Sequence, residues 1–367
     1  MTKYDTSENQ SNSGNTVNTI VIIGAGLSGL VAADALRNRI DPCRREIYVL
    51  EARNRVGGRL LSIELPQSPK IDLGATWIWP EENPQLDKLA SMLHVHKISE
   101  GDGAFRFEDG SQTIANKLSE LLHASDNVSI CLQCKVHSIS KTLPTGKINV
   151  SFHNSSSKQD KTIVADTVFI ACPPRLAQEQ ISFEPILDET LTAAMKFSRT
   201  WMAQQGKFVV AYESAFWKNP RRFYWERTYS DGPLDVFFEH GNAIWGFLSN
   251  KQRWRSLDQA ERKNQALLQL REILGDQAMS PIAVFEQDWS QEVSTCSTLD
   301  SAEAQPWKHP VYKYHSLFSH GYWKSSLWFI GSETSGTNGG FMEGAVEAAN
   351  SRVQQYLNAT HESSKKS

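Results

Sequence analysis

The chain has 367 residues, 40% of them hydrophobic and 22% charged, with a formal net charge of −3 at pH 7. That length exceeds one ordinary domain and suffices for two, and the composition is that of a globular protein. The near-neutral balance points to neither nucleic acid nor an anionic membrane surface as partner, and the apolar runs are strand-sized, too short for a membrane-spanning helix.

The first 17 residues are polar, lack the apolar centre of a secretory signal and read as a disordered tail, as does the polar end at 359–367. The cysteines (Cys43, Cys131, Cys134, Cys172 and Cys296) are scattered. Cys131 and Cys134 form one C-x-x-C, but no second pair follows at zinc spacing and the histidines show no metal pattern, so no metal is expected. An odd number of unpatterned thiols suits a reducing cytoplasm.

In chain order, the first strong signal is residues 19–59. Thr19–Ile23 is a β-branched run that reads as a buried strand, and G-x-G-x-x-G follows at Gly24, Gly26 and Gly29. Leu27, Leu30, Val31, Asp34 and Leu36 then keep a helical period, and a second strand, Ile47–Leu50, ends in Glu51. Gly24 permits a tight turn, Gly26 lets backbone approach a pyrophosphate, and Gly29 lets helix and strand pack closely. With Ala25, Leu27 and Ser28 they place a helix N-terminus against phosphate groups. Glu51 stands where a carboxylate accepts from ribose hydroxyls. At this point NAD and FAD fit equally, and a glycine-rich turn that binds nothing remains open. Ala52 and Arg53 lead into a second pair of glycines, Gly57 and Gly58, then Arg59, whose planar guanidinium can bridge a pyrophosphate; Arg53 and Arg55 also read as a solvated basic loop.

The string EARNRVGGR (51–59) behind such a βαβ unit resembles the flavin-dependent amine oxidase family and its wider relatives, the protoporphyrinogen oxidases and carotene desaturases. The resemblance implies FAD in place of NAD. IDLGATWIWP (71–80) is similar to the family segment that runs past the flavin ring, which assigns Gly74, Ala75, Thr76 and Trp77 to the cofactor, and Trp77 and Trp79 to the substrate side. Trp79 and Pro80 stand where polyamine oxidases carry His and Gly, and the arginine-containing segment with which L-amino-acid oxidases grip a carboxylate is missing. Helices are expected at 84–93 and 113–124, with a loop at 101–110. The long helical insertion that the family places here is nearly absent, which implies an open substrate site.

Residues 128–172 read as four strands, with Val136 where the family's backbone meets the adenine, and FIACPPRL (169–176) resembles the family's crossover out of the cofactor domain. Residues 201–255 are rich in aromatics, most of them core, with antiparallel strands expected at 207–212, 223–226, 236–238 and 244–248. Lys207 stands at the family's distance before Phe216-Trp217, where the resemblance implies a catalytic lysine that holds a water against flavin N5; an exposed strand lysine is the alternative. A helix is expected over 256–274, with a capping box from Ser256 to Gln259 and a stop at Gly275. Trp289 matches a tryptophan packed near the flavin. The position of the flavin-linking cysteine of monoamine oxidases falls on Thr298, with Cys296 two residues short, so non-covalent FAD is expected.

The block at 327–345 closely resembles the family's C-terminal motif. It implies cofactor contacts from Gly331, Ser332, Glu333, Gly340, Phe341, Met342 and Ala345. Phe341 occupies one position of the aromatic pair that faces the flavin in monoamine oxidases, and Leu299 the other. The implied fold class is α/β. A Rossmann-like FAD-binding domain of discontinuous segments (18–76, 110–190 and 297–358) carries an inserted, reduced α+β substrate domain with a mixed or antiparallel sheet (77–109 and 191–296). The implied reaction oxidises an apolar or aromatic primary or secondary amine to an imine, which water hydrolyses, while O2 becomes H2O2. The expected partners are that small-molecule amine and O2, with a homodimer left open. A polyamine oxidase, a tailoring oxidase or desaturase on a non-amine substrate, and an FAD-binding protein without turnover remain as alternatives.

Overall fold

A computed structural model describes residues 18–39, 45–218, 231–303 and 309–366. The β-branched run Asn18–Ile23 is the middle strand of a five-stranded sheet, and each of its neighbours runs parallel to it. The order across the sheet is Leu327–Phe329, Thr167–Ile170, Asn18–Ile23, Arg45–Leu50 and Val128–Cys131. Parallel pairing needs long crossovers that cover the sheet faces, which explains why these strands lack an inside–outside alternation. Ile20, Ile22, Ile47 and Phe169 pack on one face against the helices Leu27–Arg37, Gln112–His123 and Met342–Lys366. Val21, Ile23, Val168 and Ile170 pack on the other. There they meet a second sheet of Gln159–Ala165, Ile148–Asn154, Cys134–Lys141 and Ser182–Glu184, together with the helix Glu189–Phe197.

A separate antiparallel sheet carries Leu234–His240, Ala243–Leu248, Gly206–Ala211 and Ala283–Asp288 in that order. Side chains alternate along Gly206–Ala211. Phe208 and Val210 face the helix Gln259–Leu274. Val209 and Ala211 face the hairpin Ser62–Leu65/Ser68–Asp72, and this period puts Lys207 on the hairpin side.

Several local expectations change. The helix Gln259–Leu274 is capped by Asp258, whose carboxylate accepts from Glu261 N at 2.8 Å, and not by Ser256. Ser256 is in helical conformation at the end of a short preceding helix, Gln252–Arg255, and so cannot take the extended backbone of an N-cap. Gly275, at φ +93°, ends the helix as expected. The loop expected at 101–110 contains a strand, Ala104–Phe107. Gly101, Asp102 and Gly103 all adopt positive φ, which reverses the chain and pairs this strand with Lys97–Gly101. The last helix runs to Lys366, beyond the boundary expected at 358, because its polar end keeps good helix formers such as Glu362 and Lys365. The strand expected at 223–226, the tail at 1–17 and Cys43 lie outside the described residues. Among those described, no helix is long and apolar enough to cross a membrane.

The opening glycines differ in what they do. A Cβ on Gly29 would sit 2.0 Å from the Gly24 carbonyl oxygen, whereas one on Gly26 would meet nothing closer than 4.0 Å. Gly29→Ala is therefore expected to destabilise the ligand-free protein by about 1–3 kcal/mol, and Gly26→Ala to leave it nearly unchanged. Denaturant unfolding measures both; equal effects would contradict this assignment.

Candidate active site

A cavity of about 580 Å³ opens at the carboxyl ends of the parallel strands and extends to the antiparallel sheet. Its wall is built from three groups of residues.

The first group surrounds Glu51, which lies at the end of Arg45–Leu50 and is 3% exposed. Its carboxylate accepts from Ala25 N at 2.8 Å and from Arg53 N at 3.0 Å, so backbone donors fix its orientation. The Arg53 side chain bridges Glu51 and Glu292. Cys134 N donates to Glu51 O, which brings Cys134, Lys135 and Val136 onto the same wall.

The second group is a cradle of small residues. Gly26 and Gly57 pair backbone to backbone, and a Cβ on Gly58 would lie 3.2 Å from Gly26 Cα. Two helix N-termini reach the cavity here, through Gly26, Leu27 and Ser28 and through Gly340, Phe341, Met342 and Ala345. Arg59 crosses the cradle. Its guanidinium is 2.7 Å from Glu333 Oε1 and donates to Ser332 Oγ at 2.8 Å and to Trp201 O at 3.0 Å. The fork expected to bridge a pyrophosphate thus clamps the C-terminal motif to the N-terminal one.

The third group surrounds Lys207, which is 4% exposed. Its ammonium donates to Asp72 O at 3.0 Å, to Gly74 O at 2.8 Å and to Thr76 Oγ1. Three acceptors match its three N–H bonds. The charge also lies over the Trp245 ring at 4.6 Å, with Trp77 and Phe247 at 5.6 Å. Burial brings its pKa down to about 8, with the Asp72 charge pulling the other way. The Asp72 carboxyl, held by Ser62 and by the Ser111 N–H and hydroxyl, is itself pushed up by burial. Trp289 Nε1 donates to Leu73 O at 3.0 Å. The Leu73–Thr76 segment is therefore gripped by two side chains of the antiparallel sheet and the turn behind it.

Most residues singled out from the sequence line this cavity: Gly24, Gly26, Leu27, Ser28, Glu51, Ala52, Arg53, Gly57, Gly58, Arg59, Gly74, Ala75, Thr76, Trp77, Trp79, Val136, Lys207, Trp289, Ser332, Gly340, Phe341, Met342 and Ala345. Ala25, Gly29, Gly331 and Glu333 are not on its wall; they support it from behind. Leu299 is not brought to the site. It sits on the short helix Thr298–Ala302, whose capping residues Ser297 and Asp300 are tied to one another, with Asp300 also bound to Arg175 and Thr200 N. The rings beside Phe341 are instead His309, stacked at 4.5 Å and 4°, and Trp201, edge-on to both. Neither had a motif to announce it, although Trp201 is one of the aromatics of the 201–255 run. Cys296 is buried off the cavity wall, its thiol pushed up to about 12 by burial.

This wall fits an extended dinucleotide. It has a glycine cradle that is tight at Gly57 and Gly58 and leaves open space at Gly26, two helix N-termini for anionic groups and a buried, backbone-oriented acid at a strand end.

Comparisons with known proteins agree. Residues 86–356 match the family described as flavin containing amine oxidoreductase, and residues 22–93 match the NAD(P)-binding Rossmann-like domain. Amine oxidase [flavin-containing] B of Rattus norvegicus is 33% identical over 92 residues, which are 25% of this chain and only 17% of the rat protein. Putrescine oxidase bound to putrescine superposes with a TM-score of 0.73 at 16% identity, over 94% of this chain and 100% of that one. Cyclohexylamine oxidase from Brevibacterium oxydans gives 0.68 at 18% identity, over 95% and 99%. At such identities the two structures show a shared fold.

The state of Lys207 has a measurable consequence. Its pKa of about 8 in the fold lies below the 10.5 of a free lysine, so between these values the unfolded chain binds more protons and stability rises with pH. Relative to Lys207→Met, the native protein should gain on the order of 3 kcal/mol across that window, read by denaturant unfolding at several pH values. A difference that stays flat would contradict the buried state of Lys207.

Proposed function

The chain belongs to the flavin containing amine oxidoreductase family and takes FAD, and on that basis we propose that it oxidises an apolar or aromatic primary or secondary amine. The amine loses two electrons and two protons to become an imine, water hydrolyses the imine to a carbonyl compound and an amine or ammonia, and O2 is reduced to H2O2. Bound FAD supplies the two-electron acceptor and the reaction with O2. The observation that carries this reading is Lys207: a lysine buried on the cavity wall with the rings of Trp77, Trp245 and Phe247 around its ammonium.

Trp77, Trp79, Trp201, Met202, Phe247 and Phe341 line the same cavity. Such a wall desolvates the substrate and, next to the charge on Lys207, favours its neutral amine over an ammonium. The arginines on the wall, Arg53 and Arg59, are each paired with carboxylates, which argues against an amino-acid carboxylate as a recognised group. The FAD is proposed to be non-covalent, supported by the position of Cys296 off the wall. The division into a cofactor part (18–76, 110–190 and 297–358) and an inserted substrate part (77–109 and 191–296) belongs to the same proposal; the separate antiparallel sheet supports it for 191–296, while Ile78, Leu86 and Phe107 of 77–109 pack in the core of the parallel sheet. A second reading, a diamine, is favoured by Glu82, an exposed carboxylate on the cavity wall between Trp79 and Asn83.

A peroxide-coupled assay of the FAD-loaded protein over aromatic amines, aliphatic monoamines, diamines and amino acids tests this. Peroxide from aromatic or apolar monoamines is expected; turnover confined to diamines would select the second reading, and none with any amine would overturn both. Acid precipitation should leave the yellow flavin in the supernatant. A yellow pellet would contradict non-covalent binding.

A further inference from the structure

Glu343 lies in the first turn of the helix Met342–Lys366 and is 2% exposed. Its carboxylate oxygens accept from the backbone N–H groups of Gln85, at 3.1 Å, and Leu86, at 2.8 Å. These N–H groups belong to the first turn of the helix Pro84–Met92, where no carbonyl of the same helix can reach them. The residue placed to cap them, Asn83, makes no such bond; its amide oxygen accepts from Trp79 N at 2.9 Å instead. The cap therefore comes from another helix, 257 and 258 residues further along the chain. About two turns further along the same face, Asn350 Nδ2 adds a contact to Gln85 Oε1 at 3.3 Å.

A helix of nine residues with only Leu86 and Ala90 buried is marginal without such a tie. What it carries is part of the cavity. Glu82 N and Asn83 N both donate to Trp79 O, closing a turn directly before the helix, and Trp79, Glu82, Asn83 and Leu86 all line the cavity, as do Phe341, Met342 and Glu343 itself. We propose that Glu343 is a positioning residue that holds the Trp79–Leu86 wall against the Phe341 side and so sets how large an amine the pocket accepts. Both carboxylate oxygens are engaged by backbone donors, so its part is to orient the wall and not to move a proton. The statement about amine size rests on the proposed amine oxidation; the tie between the two helices does not.

The test uses FAD-loaded, full-length Glu343→Gln and Glu343→Ala. Glu343→Gln keeps the side-chain volume and one acceptor, so it remains informative if Glu343→Ala fails to fold. Amide hydrogen exchange over residues 79–90 should rise about tenfold in Glu343→Ala and less in Glu343→Gln, with exchange in the parallel sheet unchanged. KM for a bulky aromatic amine should rise about tenfold while kcat changes by less than about twofold and a small aliphatic amine is little affected. Unchanged exchange over 79–90 in both variants would overturn the tie. Raised exchange with an equal loss of kcat for every amine would overturn the role in setting the aperture. If the unaltered protein oxidises no amine, the proposed function fails and the exchange arm still decides the tie.

Discussion

Five strands that all run in one direction must end on one edge, and the cavity depends on that constraint. Gly24, Glu51, Ala171, Cys172 and Ser332 are far apart in the chain but follow the carboxyl ends of four neighbouring parallel strands. The glycines there are sites where backbone must meet backbone or leave space. The helix Leu27–Arg37 follows the end of Asn18–Ile23, and the last helix, Met342–Lys366, follows Leu327–Phe329, so both N-termini arrive at that edge. A carboxylate or a cradle placed at one strand end is thereby placed beside the others.

What this edge lacks is an aromatic roof, and the antiparallel sheet supplies it through a small number of long-range contacts. Lys207 and Trp289 hold the Leu73–Thr76 segment by its carbonyls and the Thr76 hydroxyl. Arg59 holds Glu333 and Ser332. Arg175 and Asp300, both buried, tie the short helix Pro174–Gln180, which leaves the parallel sheet, to the segment that returns from the antiparallel one. Each joins charged or polar groups out of water, where a broken partner is expensive and the geometry is correspondingly exact in its demands. Lys207 combines the two roles: it secures the wall and is a cation held within an aromatic pocket.

The βαβ unit at residues 18–51 was legible because its signal is local. The spacing of three glycines, a switch from strand to helix periodicity and an acid at a strand end all fall within a few turns of chain. The side on which Lys207 emerges also follows from strand alternation once the flanking Val209 and Ala211 are known to be buried against the hairpin. The neighbours of Phe341 were not legible, because a stacking partner such as His309 comes from a distant irregular segment. Position matching put Leu299 there, but the capping interactions of Ser297 and Asp300 hold that helix elsewhere. The choice of Asp258 over Ser256 as cap turned on a short helix that too few residues encode to be seen. The Glu343 tie is invisible in sequence for the same reason as His309: both partners look ordinary until the fold brings them together.

The central claim is that a neutral amine on the Lys207 side of the cavity gives up electrons to the FAD held along the glycine cradle. Anaerobic addition of an aromatic primary amine to the FAD-loaded protein, followed by visible absorbance, tests it most directly. The account predicts that the flavin absorbance bleaches and returns when O2 is admitted. Absorbance that persists with every amine, in protein whose flavin dithionite readily reduces, would contradict it.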